Sequence, residues 1–281
     1  MPTMPKHIKK NFIYRRAWNN VHRKNKNFTL VFTGNTGSGK STAAQKLARD
    51  LDPDFNVDRI VFSAEDFLNM LSSKQMKPGS VVIFDEVMSD QGASSRNSMS
   101  STNKILSYVS ATFRAKRLIV FLILPGLFQL DKNLKAISVA GLVEMRKIDY
   151  ENKKSIADFS WNSVNTRNGD LYWKKPRLLK PGATRWTTID HVRIGLPPKE
   201  FMKEYEVKKM KFINDSLKRW SGMIKDNKKT NKQMSIAQLA NKVKRNYDSY
   251  VLKGQVDHAL IMRDFNVGIN KAREIKKLAS L

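Results

Sequence analysis

Residues 34–42 read GNTGSGKST, and the fold of this chain turns on how they are read. Gly34 and Gly39 bracket four residues and are followed by Lys40 and Ser41, the G-x-x-x-x-G-K-[ST] spacing of a phosphate-binding loop. That spacing has a physical basis: backbone N–H groups must all turn inward around a phosphate, which takes conformations that glycine tolerates and side chains resist. Before the loop, residues 28–33 (FTLVFT) form a short apolar, β-favouring run. After it, Ala43, Ala44, Leu47, Ala48 and Leu51 fall at helical intervals until Asp52 and Pro53 stop the run. The loop is therefore expected to join a strand to a helix whose positive N-terminal end faces the phosphates. On this reading Gly34, Asn35, Thr36, Gly37, Ser38, Gly39, Lys40, Ser41 and Thr42 cradle ATP. Lys40 neutralises the β- and γ-phosphates, and the Ser41 hydroxyl coordinates Mg²⁺.

A second acidic signal follows. Residues 81–86 (VVIFDE) end an apolar strand on two carboxylates, at the crevice where ligands of open α/β sheets bind. Asp85 is the expected holder of the Mg²⁺ shell. Glu86, directly after it, is suited to accept a proton from an attacking water, which points to hydrolysis rather than transfer to a small acceptor. Phosphoryl transfer also draws on a basic finger, and the candidates are Arg96, Arg114 and Arg117, each equally readable as a solvated or nucleic-acid-facing charge. The apolar run 118–124 ends in Pro125 and Gly126, without the polar γ-phosphate reader of many ATPases. Gln129 is a weak substitute, and Asp131 reads as well as a helix cap.

Outward from these motifs, residues 59–63 and 118–124 read as further strands and residues 64–71 and 104–113 as helices, with a Ser-, Asn- and Gly-rich loop at 89–103. Strands alternating with helices predict an α/β fold with a mainly parallel sheet flanked by helices, and with the phosphate loop this resembles the RecA-like (ASCE) plan of a P-loop NTPase. From Leu142 onward an antiparallel hairpin is expected, appended to the sheet. The expected organisation is a basic lead-in at 1–27, an ATPase domain with its hairpin at 28–195, a basic helical segment at 196–224, a linker at 225–233 and a small all-α domain at 234–281. In that last domain Ser235 is the expected N-cap, with Ile236, Leu239, Ala240, Val243 and Tyr247 on one stripe. A helix, a turn around NVG and a basic helix then suggest a helix-turn-helix. Ile269, Ala272, Ile275 and Leu278 would pack inward, and Asn270, Lys271, Arg273, Lys276 and Lys277 would face DNA. A plain protein-docking module is the competing reading.

Charge supports a polyanionic partner. The chain carries 52 Lys and Arg against 25 Asp and Glu, a formal net charge of +27, and such a field attracts nucleic acid. Compositional bias and solubility are the alternative explanation. With no cysteine, disulfides and thiolate metal sites are excluded, and the four histidines are too scattered for a metal cluster. The most apolar stretch, 118–128, is far short of the ~20 residues of a spanning helix, and the basic start lacks the apolar core of a signal peptide. No integral membrane span is expected, and the location expected is the cytoplasm, that of the host if the chain is viral.

On GNTGSGKS, KPGSVVIFDE and the run from Asn103 to Asp131, the chain resembles the P-loop ATPases of the HerA–FtsK superfamily, specifically the zonular occludens toxin-like ATPases of viruses and mobile elements. The resemblance implies Lys40 and Ser41 on phosphate and Mg²⁺, Asp85 on the metal, Glu86 as base and Arg114 as candidate finger. It also implies a homo-oligomeric ring that moves or packages double-stranded DNA at the expense of ATP. The missing polar sensor and the missing transmembrane helix depart from that family. Two other functions fit the motifs: an AAA+-like replication initiator or helicase loader, and a nucleotide-switched DNA-binding regulator.

Overall fold

The computed structural model describes residues 3–73, 76–85, 114–165, 167–179, 184–233, 235–252 and 254–279, which fall into two units, Met1–Phe212 and Ile213–Leu281. In the first, five runs pair in parallel: β1 (Phe28–Thr33), β2 (Ile60–Val61), β3 (Val81–Phe84), β4 (Ile119–Ile123) and β5 (Val139–Asp149), in the order β5-β1-β4-β3-β2. The continuous apolar runs suit this arrangement because both faces of the sheet are covered. Phe28, Leu30, Phe32, Ile119, Phe121 and Ile123 point to one face, against Ala44 and Leu47 of helix α3 (Lys40–Leu51). Val31, Val82, Phe84, Val120 and Leu122 point to the other, against Phe67 and Leu71 of α4 (Ala64–Ser72). The α/β class and mainly parallel sheet read from the sequence are those of the structure.

Three stretches differ from their sequence reading. The basic lead-in carries α1 (Lys6–Lys10) and α2 (Phe12–Trp18), whose Ile8, Ile13, Ala17 and Trp18 are buried in the same core as β1. Charge density hid that apolar stripe. The hairpin expected from Leu142 exists, but its first arm is β5 itself, paired in parallel with β1 and then antiparallel with β6 (Lys154–Val164). Only alternate residues of β5 are buried, so its apolar signal is weak. Strands β7 (Leu171–Lys174) and β10 (His191–Ile194) pair with β6, and β8 (Arg177–Leu179) and β9 (Trp186–Thr188) form a separate ribbon. Finally, residues 225–233, expected as a linker, are the last quarter of one helix with the segment before them, here numbered after the short α5 (Lys132–Ser138) as α6 (Lys199–Gln233). They have no apolar face but also no proline or glycine, and their lysines and glutamine are good helix formers.

The start of α6 belongs to the first unit. Phe201 and Tyr205 are buried there, the Phe201 ring lies 5.8 Å from that of Phe55, and the Lys208 ammonium donates to the carbonyls of Val57 and Ile60 at 2.9 and 2.7 Å. Burial pushes the Lys208 pKa down.

The second unit contains α7 (Ile236–Arg245), a two-stranded ribbon of β11 (Val251–Leu252) and β12 (Gln255–Val256), α8 (His258–Phe265) and α9 (Ile269–Ala279). Ser235 caps α7 through a reciprocal pair of bonds with Gln238. The inward stripe of α9 is Ala272, Ile275 and Ala279, while Ile269 and Leu278, expected inside, are 41% and 39% exposed. Tyr247, assigned to the α7 stripe, is also largely exposed, because the helix ends before it. The phase of a short helix is set by what it packs on, here Leu239, Val243 and Phe265.

Asp52, read as a helix stop, also joins elements. It receives the Arg59 guanidinium at 2.6 Å and the N–H of Val81, the first residue of β3, at 2.9 Å. Asp52→Ala would strand both donors, and a loss of about 3–5 kcal/mol in urea unfolding of the first unit is expected from breaking such a buried pair. Asp54→Ala, beside it and exposed, should stay within about 0.5 kcal/mol of wild type.

Candidate functional site

At the carboxyl end of β1 the chain turns through three glycines with positive φ: Gly34 at 141°, Gly37 at 76° and Gly39 at 84°. An added Cβ on Gly34 would meet Ser38 Oγ at 2.9 Å and the Met145 carbonyl oxygen at 3.0 Å; on Gly39 it would meet Ser155 Oγ at 2.8 Å. Backbone conformation and close packing therefore both demand glycine at these two positions. Besides Ser38 of the loop itself, the crowding residues come from β5 and β6. Gly39 then serves as the left-handed N-cap of α3, so the free N–H groups of its first turn lie within the loop.

Inside this turn the Lys40 ammonium folds back and donates to the Gly34 and Asn35 carbonyls at 2.8 and 2.9 Å, holding the loop closed on itself. Ser41, one residue on, donates its hydroxyl to Asp85 Oδ1 at 3.2 Å. Asp85 follows β3 directly, is 0% exposed, and is held by its own N–H to the Val61 carbonyl at 2.9 Å. Its other carboxylate oxygen, Oδ2, accepts a 2.5 Å hydrogen bond from the Tyr205 hydroxyl on α6. Burial first, and the adjacent negative charge of Asp85 second, push the Tyr205 pKa far up, so the phenol stays a donor.

These groups line one cleft of about 560 Å³, closed by Pro125, Ile148, Glu206 and Lys209. Its chemistry fits a nucleoside triphosphate with a divalent cation. Loop amides and Lys40 would meet the phosphates, and Ser41 and Asp85 would hold the cation. The Ser38 hydroxyl oxygen, buried in the loop without a hydrogen-bond partner among the described residues, is a further polar group facing the site. A bound cation would screen the phosphate charge and favour its transfer.

Of the sequence-predicted residues, 36–42 and Asp85 thus converge on the lining of one cleft, while Gly34 and Asn35 shape the loop behind it through their carbonyls to Lys40. Glu86, Arg96 and the helix expected at 104–113 lie outside the described residues. Arg114 is exposed and precedes β4, so it sits at the amino end of the parallel strands, roughly 16 Å of strand away from the loop end. Arg117 is at that same end, bonded to Asn25 ahead of β1 at 3.1 Å. Neither arginine lines the chain's own cleft, and neither do Gln129 and Asp131. On α9, Asn270, Lys271, Arg273 and Lys277 are exposed and Lys276 is half-buried.

Sequence reading missed Tyr205, Glu206 and Lys209. Nothing local marks a tyrosine that reaches a carboxylate 120 residues away. Tyr205→Phe would remove this donor to the Asp85 carboxylate, and a loss of about 1.5–3 kcal/mol is expected for a hydrogen bond to a charged group. Calorimetry should show it as a lowered Tm of the nucleotide-free protein, and an unchanged Tm would mean the bond contributes nothing.

The family model described as nSTAND3, Novel STAND NTPase 3, matches residues 12–157. No curated protein matches. Among solved structures, the N-terminal domain of zonular occludens toxin from Neisseria meningitidis is similar at 16% identity and a TM-score of 0.30, over 52% of this chain and 99% of that one, a likeness too loose to bear on function. The family match spans over half of the chain and takes in β1, the phosphate loop, α3 and Asp85, and the protein belongs to the nSTAND3 family of NTPases.

Proposed function

We propose that the chain is a Mg²⁺-dependent ATPase of HerA–FtsK type that moves or packages double-stranded DNA for a virus or mobile element, acting in the cytoplasm as a homo-oligomeric ring. The observation that carries the reading is the buried Asp85 carboxylate 3.2 Å from the Ser41 hydroxyl at the mouth of a glycine loop. The strand order supports it: β4 lies between the loop strand β1 and the Asp85 strand β3, as in ASCE-type ATPases. In this reading Glu86, next after Asp85, is the general base. Arg114, at the far end of the strands, acts as a finger on the cleft of a neighbouring copy. The domain at 234–281 is a helix-turn-helix that presents Asn270, Lys271, Arg273, Lys276 and Lys277 to DNA, and the +27 charge favours that partner. No helix among the described residues is long and apolar enough to cross a membrane.

One observation favours a second reading, the nucleotide-switched DNA-binding regulator. The helix that sets Tyr205 on Asp85 runs without interruption to Gln233, just ahead of the last domain. A change at Asp85 would be met first by a residue of the helix that precedes that domain in the chain. The replication-initiator reading has less support, since the end of β4 at the cleft offers Leu124 and Pro125 and no polar sensor.

ATP turnover with and without duplex DNA separates the two. The motor reading expects DNA-stimulated hydrolysis, abolished in Lys40→Ala and reduced about 10²–10⁴-fold in Glu86→Gln, as for loss of a general base, with Mg-ATP binding retained in Glu86→Gln. Unaltered turnover in Glu86→Gln would remove that residue from the mechanism. Tight DNA binding that responds to ATP without hydrolysis would establish the switch instead. Lys276→Glu with Lys277→Glu should weaken duplex binding and flatten its salt dependence. If neither changes, the last domain docks protein.

A further inference from the structure

A second cleft, of about 510 Å³, opens in the first unit away from the phosphate loop. It is bounded by α2, by the segment leading into β1, by Trp161 of β6 and by the start of β8. Lys24 and Lys26 stand just ahead of Phe28, where β1 begins, whereas the phosphate loop leaves β1 at its other end. Trp161 pairs with Gly141 near the start of β5, which puts it at the same amino end. The two clefts are therefore separated by the length of the parallel strands, roughly 20 Å.

The lining of this cleft is strongly one-sided. Arg15, Arg16, Lys24, Lys26 and Arg177 contribute to it, and among the described residues no Asp or Glu does. None of these five cations takes part in an ion pair among the described residues. Arg16 is held in place by its guanidinium lying 4.0 Å from the centre of the Trp161 ring. Burial in that packing pushes its pKa down, and no carboxylate offsets the cost. Cations gathered around a polar hollow repel one another, and an anion with several charged oxygens relieves that repulsion.

The surface beside the cleft adds an aromatic platform. Two residues beyond Arg177, Leu179 pairs across the β8–β9 ribbon with Trp186, whose indole is 64% exposed. Arg185, next to it, is also exposed. Basic side chains that track a backbone beside an exposed aromatic ring form the combination that single-stranded nucleic acid uses, phosphates on the cations and a base on the ring.

We infer that this cleft and the adjoining ribbon bind a nucleic-acid strand, with phosphates among Arg15, Arg16, Lys24, Lys26 and Arg177 and an unpaired base stacked on Trp186. The inference extends the nucleic-acid part of the function proposed above. It requires neither ATP hydrolysis nor DNA contact by α9.

The test uses the full chain and fluorescence anisotropy of a fluorescein-labelled single strand and of its duplex, over a series of NaCl concentrations. The variant Lys24→Glu, Lys26→Glu, Arg177→Glu should bind the single strand at least about tenfold more weakly, and its log–log salt slope should fall by about 2, since each lost phosphate contact removes about 0.7. Trp186→Ala should weaken the single strand by about fivefold or more, for a stacked base worth about 1–3 kcal/mol, and leave the duplex unaffected. Affinity for a fluorescent ATP analogue should be unchanged in both variants and serves as the folding control. Lys26→Gln with Arg177→Gln preserves bulk and gives the same direction of change should the triple variant misfold.

Wild-type strand affinity and salt slope in the folded cleft variants would overturn the inference. So would loss of strand binding in Lys276→Glu with Lys277→Glu alone, or binding of anionic phospholipid vesicles in place of the strand. ATP turnover distinguishes this failure from failure of the proposed function. Normal DNA-stimulated turnover with inert cleft variants sinks only the cleft, whereas strand binding lost in the cleft variants without any turnover in wild type sinks only the motor.

Discussion

A carboxylate with no exposure to water is tolerated in a protein core only when its oxygens find donors. Asp85 meets that condition through two hydroxyls from distant parts of the chain, Ser41 at the start of α3 and Tyr205 on α6, while its N–H is tied to β2 through Val61. Four elements thus meet at one side chain. The phosphate loop, the strand that ends in the acid and the helix that closes the cleft are held in register by the same pair of oxygens. A divalent cation would draw on one of the same oxygens and on the Ser41 hydroxyl. Filling the site with a cation would therefore bear on the carboxylate that also holds Tyr205 of α6.

Parallel strands give the first unit two unlike ends. At the carboxyl end lie the glycine loop, Asp85 and Pro125, in a cleft where partial positive charge from backbone amides is concentrated. At the amino end lie Lys24, Lys26, Arg114 and Arg117, with whole charges on long side chains. The first arrangement suits a compact polyphosphate that must be oriented, and the second suits an extended polyanion that must be gripped. Covering both faces of the sheet with helices leaves these two ends as the accessible edges of the fold, which is why function is sought there.

Much of the fold was legible because it is written in local patterns. The loop glycines, the strand before them and the helical spacing after them are separated by a few residues, and backbone stereochemistry alone relates them. The acid at the end of VVIFDE was legible for the same reason, as was Ser235 as a cap. Elements at the margins were less so. The apolar stripe of α2 is masked by arginines, β5 buries only every second residue, and residues 225–233 have no apolar face at all. For α2 and β5 the deciding partner is a surface supplied by another part of the chain. The phase error at Ile269 and Leu278 has that origin too, since α9 faces the side where Leu239, Val243 and Phe265 already lie.

By itself, then, the sequence determined that a phosphate-binding turn joins a strand to a helix, that an acid stands at the end of a second buried strand, and that the chain carries a large positive charge. Those properties follow from residue type and short spacing. Only the tertiary structure decided that Tyr205 sits on that acid, that Met145 and Ser155 press the loop into shape, and that Arg15, Arg16, Lys24, Lys26 and Arg177 gather around one hollow. Such contacts link residues far apart in the chain, and their geometry is set by how the sheet stacks its strands and covers its faces, which no local pattern encodes.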